Sequence, residues 1–167
     1  LKGISFHARR GEIFGIYGLM GSGHQEIGSA LFGKDIIHHG KILVNGKPAK
    51  IKRPMDAIRA GIAYVPAERK TEGLVLNQSV AVNTVAAYYS KTHPLFVNRK
   101  RDSQIAKKWI ESLSTKTPSE NTIVESLSGG NQQKVVLSKW LELKPDVLIL
   151  NEPTRGIDVG AKAEIYK

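Results

Sequence analysis

The sequence predicts an α/β domain with a mostly parallel central sheet, and three observations predict it. Three short apolar-rich runs, residues 12–17 ("EIFGIY"), Ile62–Val65 ("IAYV") and Val147–Leu150 ("VLIL"), lie far apart along the chain. Helical patterns and turns alternate with them, which is the order of an α/β sheet rather than of a hairpin stack. "VLIL" is apolar at every position, as expected of a central parallel strand.

Residues 12–17 lie between glycines and read as a buried strand. A Gly-rich turn follows. Residues 25–32 then carry Ile27, Ala30 and Leu31 at helical spacing, with Gly33 as the natural stop. Residues 41–44 and the turn Asn45-Gly46-Lys47 predict a small strand and hairpin. Residues 54–60 predict a short helix, with Pro54 in its first turn and Gly61 at its end. The run Ile62–Val65 stops at Pro66, and the charged residues 67–78 read as a loop.

Residues 80–89 and 102–113 read as helices, the second with Asp102 as its N-cap. The basic stretch between them, with Pro94, reads as a connector. These helices form a subdomain between two α/β halves. Residues 131–143 predict a helix with Val135, Leu137, Trp140, Leu141 and Leu143 mostly on one face. Asp158 is placed to cap a last helix that the chain end cuts off.

Bulk properties narrow the function classes. The chain has 167 residues, one domain's worth, and 41% of them are hydrophobic, enough for a packed core. No apolar run approaches the ~18 residues that span a bilayer, and no signal peptide is visible. The absence of Cys excludes a disulfide framework and thiolate metal sites, which fits a cytosolic protein. The net charge of +10 reads as a solvated basic surface. Neither an aromatic stripe nor a paired Cys/His finger accompanies it, so nucleic acid is not an expected partner.

Three stretches carry chemistry. "GLMGSGHQ", from Gly18 to Gln25, has the glycine spacing of a phosphate loop and lies between a strand and a helix. Such loops continue with Lys, for the terminal phosphates, and a hydroxyl residue, for Mg²⁺; here His24 and Gln25 follow. "LSGGNQQK", residues 127–134, opens a helix. Its Gly129 and Gly130 let backbone approach an anion, Ser128 can cap, and the free amides favour negative charge. "VLILNEPTRGID", residues 147–158, delivers Asn151 and Glu152 to the C-terminal end of a strand, where α/β sites lie. Asp158 follows after a turn.

In this order the three stretches resemble the Walker A, signature, Walker B and D-loop motifs of the ATP-binding cassette of ABC transporters. "GLMGSG", "AYVPAERKTEGLVL", "LSGGNQQK" and "EPTRGIDVGAK" are most similar to the second, C-terminal cassette of the monosaccharide (ribose/galactose-type) importer ATPase subunit. The resemblance implies a P-loop NTPase fold with a small antiparallel β part and an inserted helical signature subdomain. It implies one partial nucleotide-binding domain over residues 1–167, with an α/β core at about 1–78 and 132–167 and helices at about 79–131. Both ends are then truncated, with the adenine-stacking aromatic upstream and the switch histidine downstream.

The same resemblance assigns ATP to Gly18, Gly21, Ser22, Gly23, His24 and Gln25, with Asn151 and Asp158 close by. Glu152 would polarise the attacking water. Ser128, Gly129 and Gly130 would complete the active site of a partner cassette, and Gln132 is counted with the nucleotide-binding residues. The implied partners are the first cassette of the same subunit, a second copy or partner cassette, transmembrane permease subunits and, indirectly, a sugar-binding protein. The implied place is the cytoplasmic face of the membrane. Four residues depart from the pattern: His24 for Lys, Gln25 for the hydroxyl residue, Asn151 for the Walker B Asp, and Ala67, beside Glu68, for the Q-loop Gln. All four weaken the hold on Mg²⁺ and the terminal phosphates. The expectation is weak nucleotide binding, little hydrolysis and Mg²⁺ held weakly or not at all, with no resident metal site. The rivals are a slow but genuine ATPase using Glu152 and a docking cassette that binds no nucleotide.

Overall fold

The structure, a computed structural model, describes residues 3–19 and 21–166. The expected domain limits at Leu1 and Lys167, and Met20 of the glycine loop, lie outside the described residues.

Helix α1, His24–Leu31, ends where expected: Phe32 is its C-cap and Gly33 follows with φ 78°. Strands β1, Ile42–Val44, and β2, Lys47–Ala49, pair antiparallel, with Val44 opposite Lys47. Asn45 and Gly46 between them both have positive φ, 51° and 75°, which matches the twist of a tight hairpin. Helix α2, Pro54–Arg59, starts on Pro54, whose fixed φ suits a first turn. It leads into β3, Ile62–Val65, which is buried at every position. β3 pairs in parallel with β4, Val147–Leu150, in the register Ile62 to Val147 through Val65 to Leu150.

Among the described residues the parallel sheet has these two strands. Residues 12–17 form no strand, contrary to the sequence reading. Among the described residues they pair with no other segment, and Ile13 and Tyr17 are fully exposed. An apolar run becomes a strand only when a neighbour takes up its backbone groups, and none does here.

The helical part differs in detail from expectation. Helix α3 runs Val80–Thr92, capped by Ser79, whose Oγ accepts from the Val82 amide. Helix α4 runs Arg99–Ser112, so the connector shrinks to residues 93–98. Its N-cap is Asn98, whose Oδ1 accepts from the Arg101 amide at 3.0 Å; Asp102 is not the cap. Asp102 is buried instead, with the Tyr89 hydroxyl 2.9 and 2.7 Å from its two oxygens. Burial, and then the Asp102 carboxylate, push the Tyr89 phenol above its usual range. The charged loop after β3 is also partly ordered: Arg69–Gly73 forms one π-helical turn.

Helix α5, Gly129–Leu141, is central. The sequence reading gave it one apolar face. The structure buries Gln132, Gln133, Lys134, Val135, Val136, Ser138 and Trp140, while Leu137 and Leu141 are only half-buried. α3, α4, β3 and a last helix α6, Val159–Ile165, all pack on it, so polar residues are drawn inside; some find partners, while Gln133 Nε2 and Trp140 Nε1 have none among the described residues. Ser138 Oγ pairs with Thr84 Oγ1 of α3 at 3.0 Å. Trp140 meets Phe32 edge-on at 5.4 Å, and Phe32 stacks on Tyr64 at 5.2 Å, which joins α5, α1 and β3 in one core.

Candidate functional site

The glycine loop is shaped by its own contacts. The Ser22 amide donates to the Leu19 carbonyl at 3.0 Å and closes a turn, so it is not free for a ligand. Gly21 and Gly23 hold φ of 80° and 87°, a region glycine enters without strain. A Cβ at Gly18 would run into Ser22 Oγ. Ser22 Oγ lies 3.0 Å from His24 Nδ1. Gly23 is the N-cap of α1 and offers no side chain to the first-turn amides. Those amides and the helix dipole therefore face whatever precedes the helix, an arrangement suited to a phosphate.

β4 brings the second part of the site to the loop. The Asn151 amide donates to the Val65 carbonyl at 2.9 Å, which extends the β3–β4 ladder by one bond. α1 packs tightly on this pair: a Cβ at Gly28 would sit 3.1 Å from Ile149 Cγ2 and 3.4 Å from Tyr64 Cε2. The close approach places Gln25 against Glu152, Nε2 donating to Oε1 at 2.5 Å. Asn151 Nδ2 donates to the Tyr64 hydroxyl at 2.9 Å. Glu152 has φ 44°, uncommon outside glycine. Arg155 returns toward it, its amide donating to the Glu152 carbonyl at 3.0 Å and Nη1 3.8 Å from Oε2.

Mg²⁺ asks for octahedral oxygen ligands and is usually anchored by one or two carboxylates. Gln25 and Asn151 direct N–H groups at Glu152 and Tyr64, and Glu152 is the one carboxylate of the three.

The residues of "LSGG" form a separate group. α5 begins at Gly129 rather than after the glycines. Ser128 occupies the N-cap position without capping; its Oγ accepts from Asn131 Nδ2 at 2.9 Å. Asn131 Oδ1 in turn accepts from the Lys116 amide. Gln132 points inward. It is buried, donates through Nε2 to the Val124 carbonyl and accepts from Arg69 at 3.4 Å. Ser128, Gly130 and Asp158 line a shallow cleft of about 230 Å³ with Lys116, Asn131 and Glu164. Asp158 caps α6 as predicted, Oδ1 accepting from the Ala161 amide at 2.9 Å.

Two clusters result: the loop 18–25 with Asn151 and Glu152, and residues 128–131 with Asp158. Among the described residues, no hydrogen bond joins them. Sequence reasoning missed Arg69 and Lys134, both buried. Charged side chains in a loop and on a helix give no periodic signal, and only the neighbours reveal their burial. Ala67 is half-buried and Glu68 exposed.

Comparison with known proteins gives the following. The ABC transporter family matches residues 1–155. The ribose import ATP-binding protein RbsA of Clostridium tetani is 47% identical over 169 residues, covering 100% of this chain and 34% of that protein. A putative ribose/galactose/methyl galactoside import ATP-binding protein of Agrobacterium fabrum is 47% identical, covering 98% of this chain and 33% of that protein. The chain thus spans about a third of the length of these curated relatives. Among solved structures, cbiO1 from Clostridium perfringens, part of the ABC transporter complex cbiONQ, superposes with a TM-score of 0.75 at 23% identity, over 99% of this chain and 63% of that one. A nucleotide-free ATP-binding cassette from an ABC transporter gives 0.70 at 19% identity, over 89% and 60%. These two likenesses speak to the fold, which is that of P-loop NTPase cassettes.

Proposed function

The chain belongs to the ABC transporter family, and on that premise we propose that it is an ATP-binding cassette of a sugar importer whose own phosphate loop binds nucleotide weakly and hydrolyses little. The observation that carries this reading is the pair of amide contacts at the site. Where related cassettes are expected to set a hydroxyl and an Asp toward a metal, Gln25 donates to Glu152 and Asn151 donates to Tyr64.

The glycine amides of the loop and the uncapped start of α1 receive the phosphates, the Ser22 amide being taken by the Leu19 carbonyl. His24 stands in the first turn in place of the Lys, a weaker partner for a terminal phosphate. Loss of one charge-assisted hydrogen bond costs about 1.5–3 kcal/mol, roughly tenfold or more in affinity. Bound Mg²⁺ supplies neutralisation of phosphoryl charge in such reactions, and the residues here do not fit it. Glu152, held by Gln25, can orient a water; among the described residues no cluster of carboxylates or histidines gathers beside it to hold a metal.

Ser128, Gly129 and Gly130 serve a different site. Their cluster, separate from the glycine loop, faces a nucleotide carried by a partner cassette. The import names of the relatives support a sugar as cargo, and the motif wording supports the second cassette of a two-cassette subunit. The partners are then the first cassette, a second copy of the subunit, permease subunits and a sugar-binding protein, with the chain peripheral at the cytoplasmic face of the membrane. No helix among the described residues is long and apolar enough to cross one.

The test is an equilibrium titration with a fluorescent ATP analogue, with and without Mg²⁺. The reading expects weak binding that Mg²⁺ changes little. Strong tightening by Mg²⁺ would favour a genuine ATPase built on Glu152. No binding at any concentration would favour a docking cassette.

A further inference from the structure

Arg69 is a buried cation that the proposed chemistry does not use. It is 9% exposed and opens the π-helical turn after β3. Its guanidinium reaches two elements at once. Nη1 donates to the Arg155 carbonyl at 2.8 Å and Nη2 to the Gly156 carbonyl at 3.2 Å, both in the turn after β4. Nε donates to Gln132 Oε1 on α5 at 3.4 Å. Among the described residues no carboxylate lies within ion-pair distance of it, so carbonyl and amide oxygens alone receive its charge.

The space for this side chain is made by glycines. A Cβ at Gly129, the first residue of α5, would stand 2.7 Å from Nη2 and 3.3 Å from the Gly156 carbonyl. Gly156 itself has φ 64°, and a Cβ there would meet Nη1 at 3.6 Å. A second clamp lies one turn along α5. Lys134, also buried, donates to Glu164 of α6 at 2.8 Å and to the Ser114 carbonyl at 2.9 Å. Between the clamps α5 and α6 touch so closely that a Cβ at Gly130 would lie 2.5 Å from Ala161 Cβ.

We propose that Arg69 is a positioning residue that locks the turn 153–158 onto the start of α5, so that Ser128, Gly130 and Asp158 are presented as one rigid edge. A planar fork suits this task because its donors meet two carbonyls at a pre-set spacing, whereas a Lys ammonium is a single point charge with rotatable donors. The edge is also joined to the loop after β3, since Arg69 belongs to that loop. A displacement of the loop therefore moves the signature residues and the turn together. The role of the edge rests on the nucleotide-facing reading given above; the lock itself does not.

The lock is tested without nucleotide, by hydrogen–deuterium exchange of the full-length protein carrying R69Q, R69K or G129A. Amide exchange over residues 153–162 should rise about tenfold or more in R69Q, the effect of losing charge-assisted bonds from a locally opening segment. R69K, which keeps the charge without the fork, should leave most of that rise in place. G129A, which crowds both the guanidinium and the Gly156 carbonyl, should reproduce it. Residues 89–102, at the far corner of α3 and α4, serve as the internal control and should not change. Unchanged exchange over 153–162 in R69K and G129A, or an equal rise in the control segment, would overturn the proposal. If R69Q does not fold, those two variants decide. A nucleotide titration of the same proteins separates failure of the lock from failure of the cassette reading.

Discussion

At the scale of single residues, the proposed chemistry rests on Glu152 and its neighbours. The Gln25 amide lies on Glu152 and the Asn151 amide on Tyr64, and in the proposed reading they stand where a hydroxyl and a carboxylate would hold a metal. The Q25T/N151D double variant should therefore make nucleotide affinity depend on Mg²⁺, by about tenfold or more from the charge-assisted contacts regained. The same titration in Mg²⁺ and in a chelator checks it, and an unchanged ratio counts against the assignment. These identities were legible in the sequence because each is a residue type at a fixed offset from glycines or an apolar run. Side-chain direction was not. Ser128 bonds Asn131 instead of capping, and Gln132 turns inward, because Arg69 and the Val124 carbonyl are waiting there. Those partners lie remote in sequence or behind a turn, so no spacing announces them.

Elements were legible where a local signal governs them. Pro54, Gly33, Asn45-Gly46 and Asp158 each fix a boundary through backbone chemistry that needs no tertiary help. D158A should lower stability by about 1 kcal/mol through loss of the α6 cap, read as a shift in urea midpoint. Asp102 misled because a good capping residue also makes a good buried partner, and Tyr89 wins it. α5 misled because it is enclosed on several sides, so its apolar stripe understates its burial. Lys139 shows the consequence. It lies half-buried on α5, donates to the Gly73 carbonyl and sits 5.0 Å over the Trp140 ring; burial pushes its ammonium down to about 8. An unfolded Lys titrates near ~10.4, so between about 8 and 10 the unfolded chain holds the proton that the native one has lost. Stability should rise with pH across that window, and K139M should remove the rise. Urea unfolding of both proteins at about pH 7 and pH 10 measures it; parallel behaviour would exclude a buried ammonium.

A second clamp acts at the acid end. Glu164 is held below the usual carboxylate range by its bond to Lys134, then by the charges of Lys134 and Lys116. Its contribution is present above the ordinary Glu value of ~4.3 and is lost as pH falls through the lower native value. The stability difference between the natural protein and E164Q should thus be constant near neutrality and shrink below about pH 4. A difference that grows on acidification would mean that the Lys134 pair does not stabilise the fold.

For the whole molecule, the α/β class followed from the alternation of apolar runs and helical patterns, while the extent of the sheet did not. β3 and β4 pair in register, yet residues 12–17, also apolar-rich, are exposed and pair with no described segment. Pairing is a property of neighbours, and a run cannot declare its neighbour. The separation of the two candidate clusters likewise belongs to the assembled fold. It supports a division of labour in which one cluster holds a nucleotide loosely and the other serves a partner. Phosphate release in a single turnover, with the purified protein in excess over ATP and Mg²⁺ present, tests that division most directly. No release above that of E152Q is the predicted result; rapid release abolished by E152Q would contradict it.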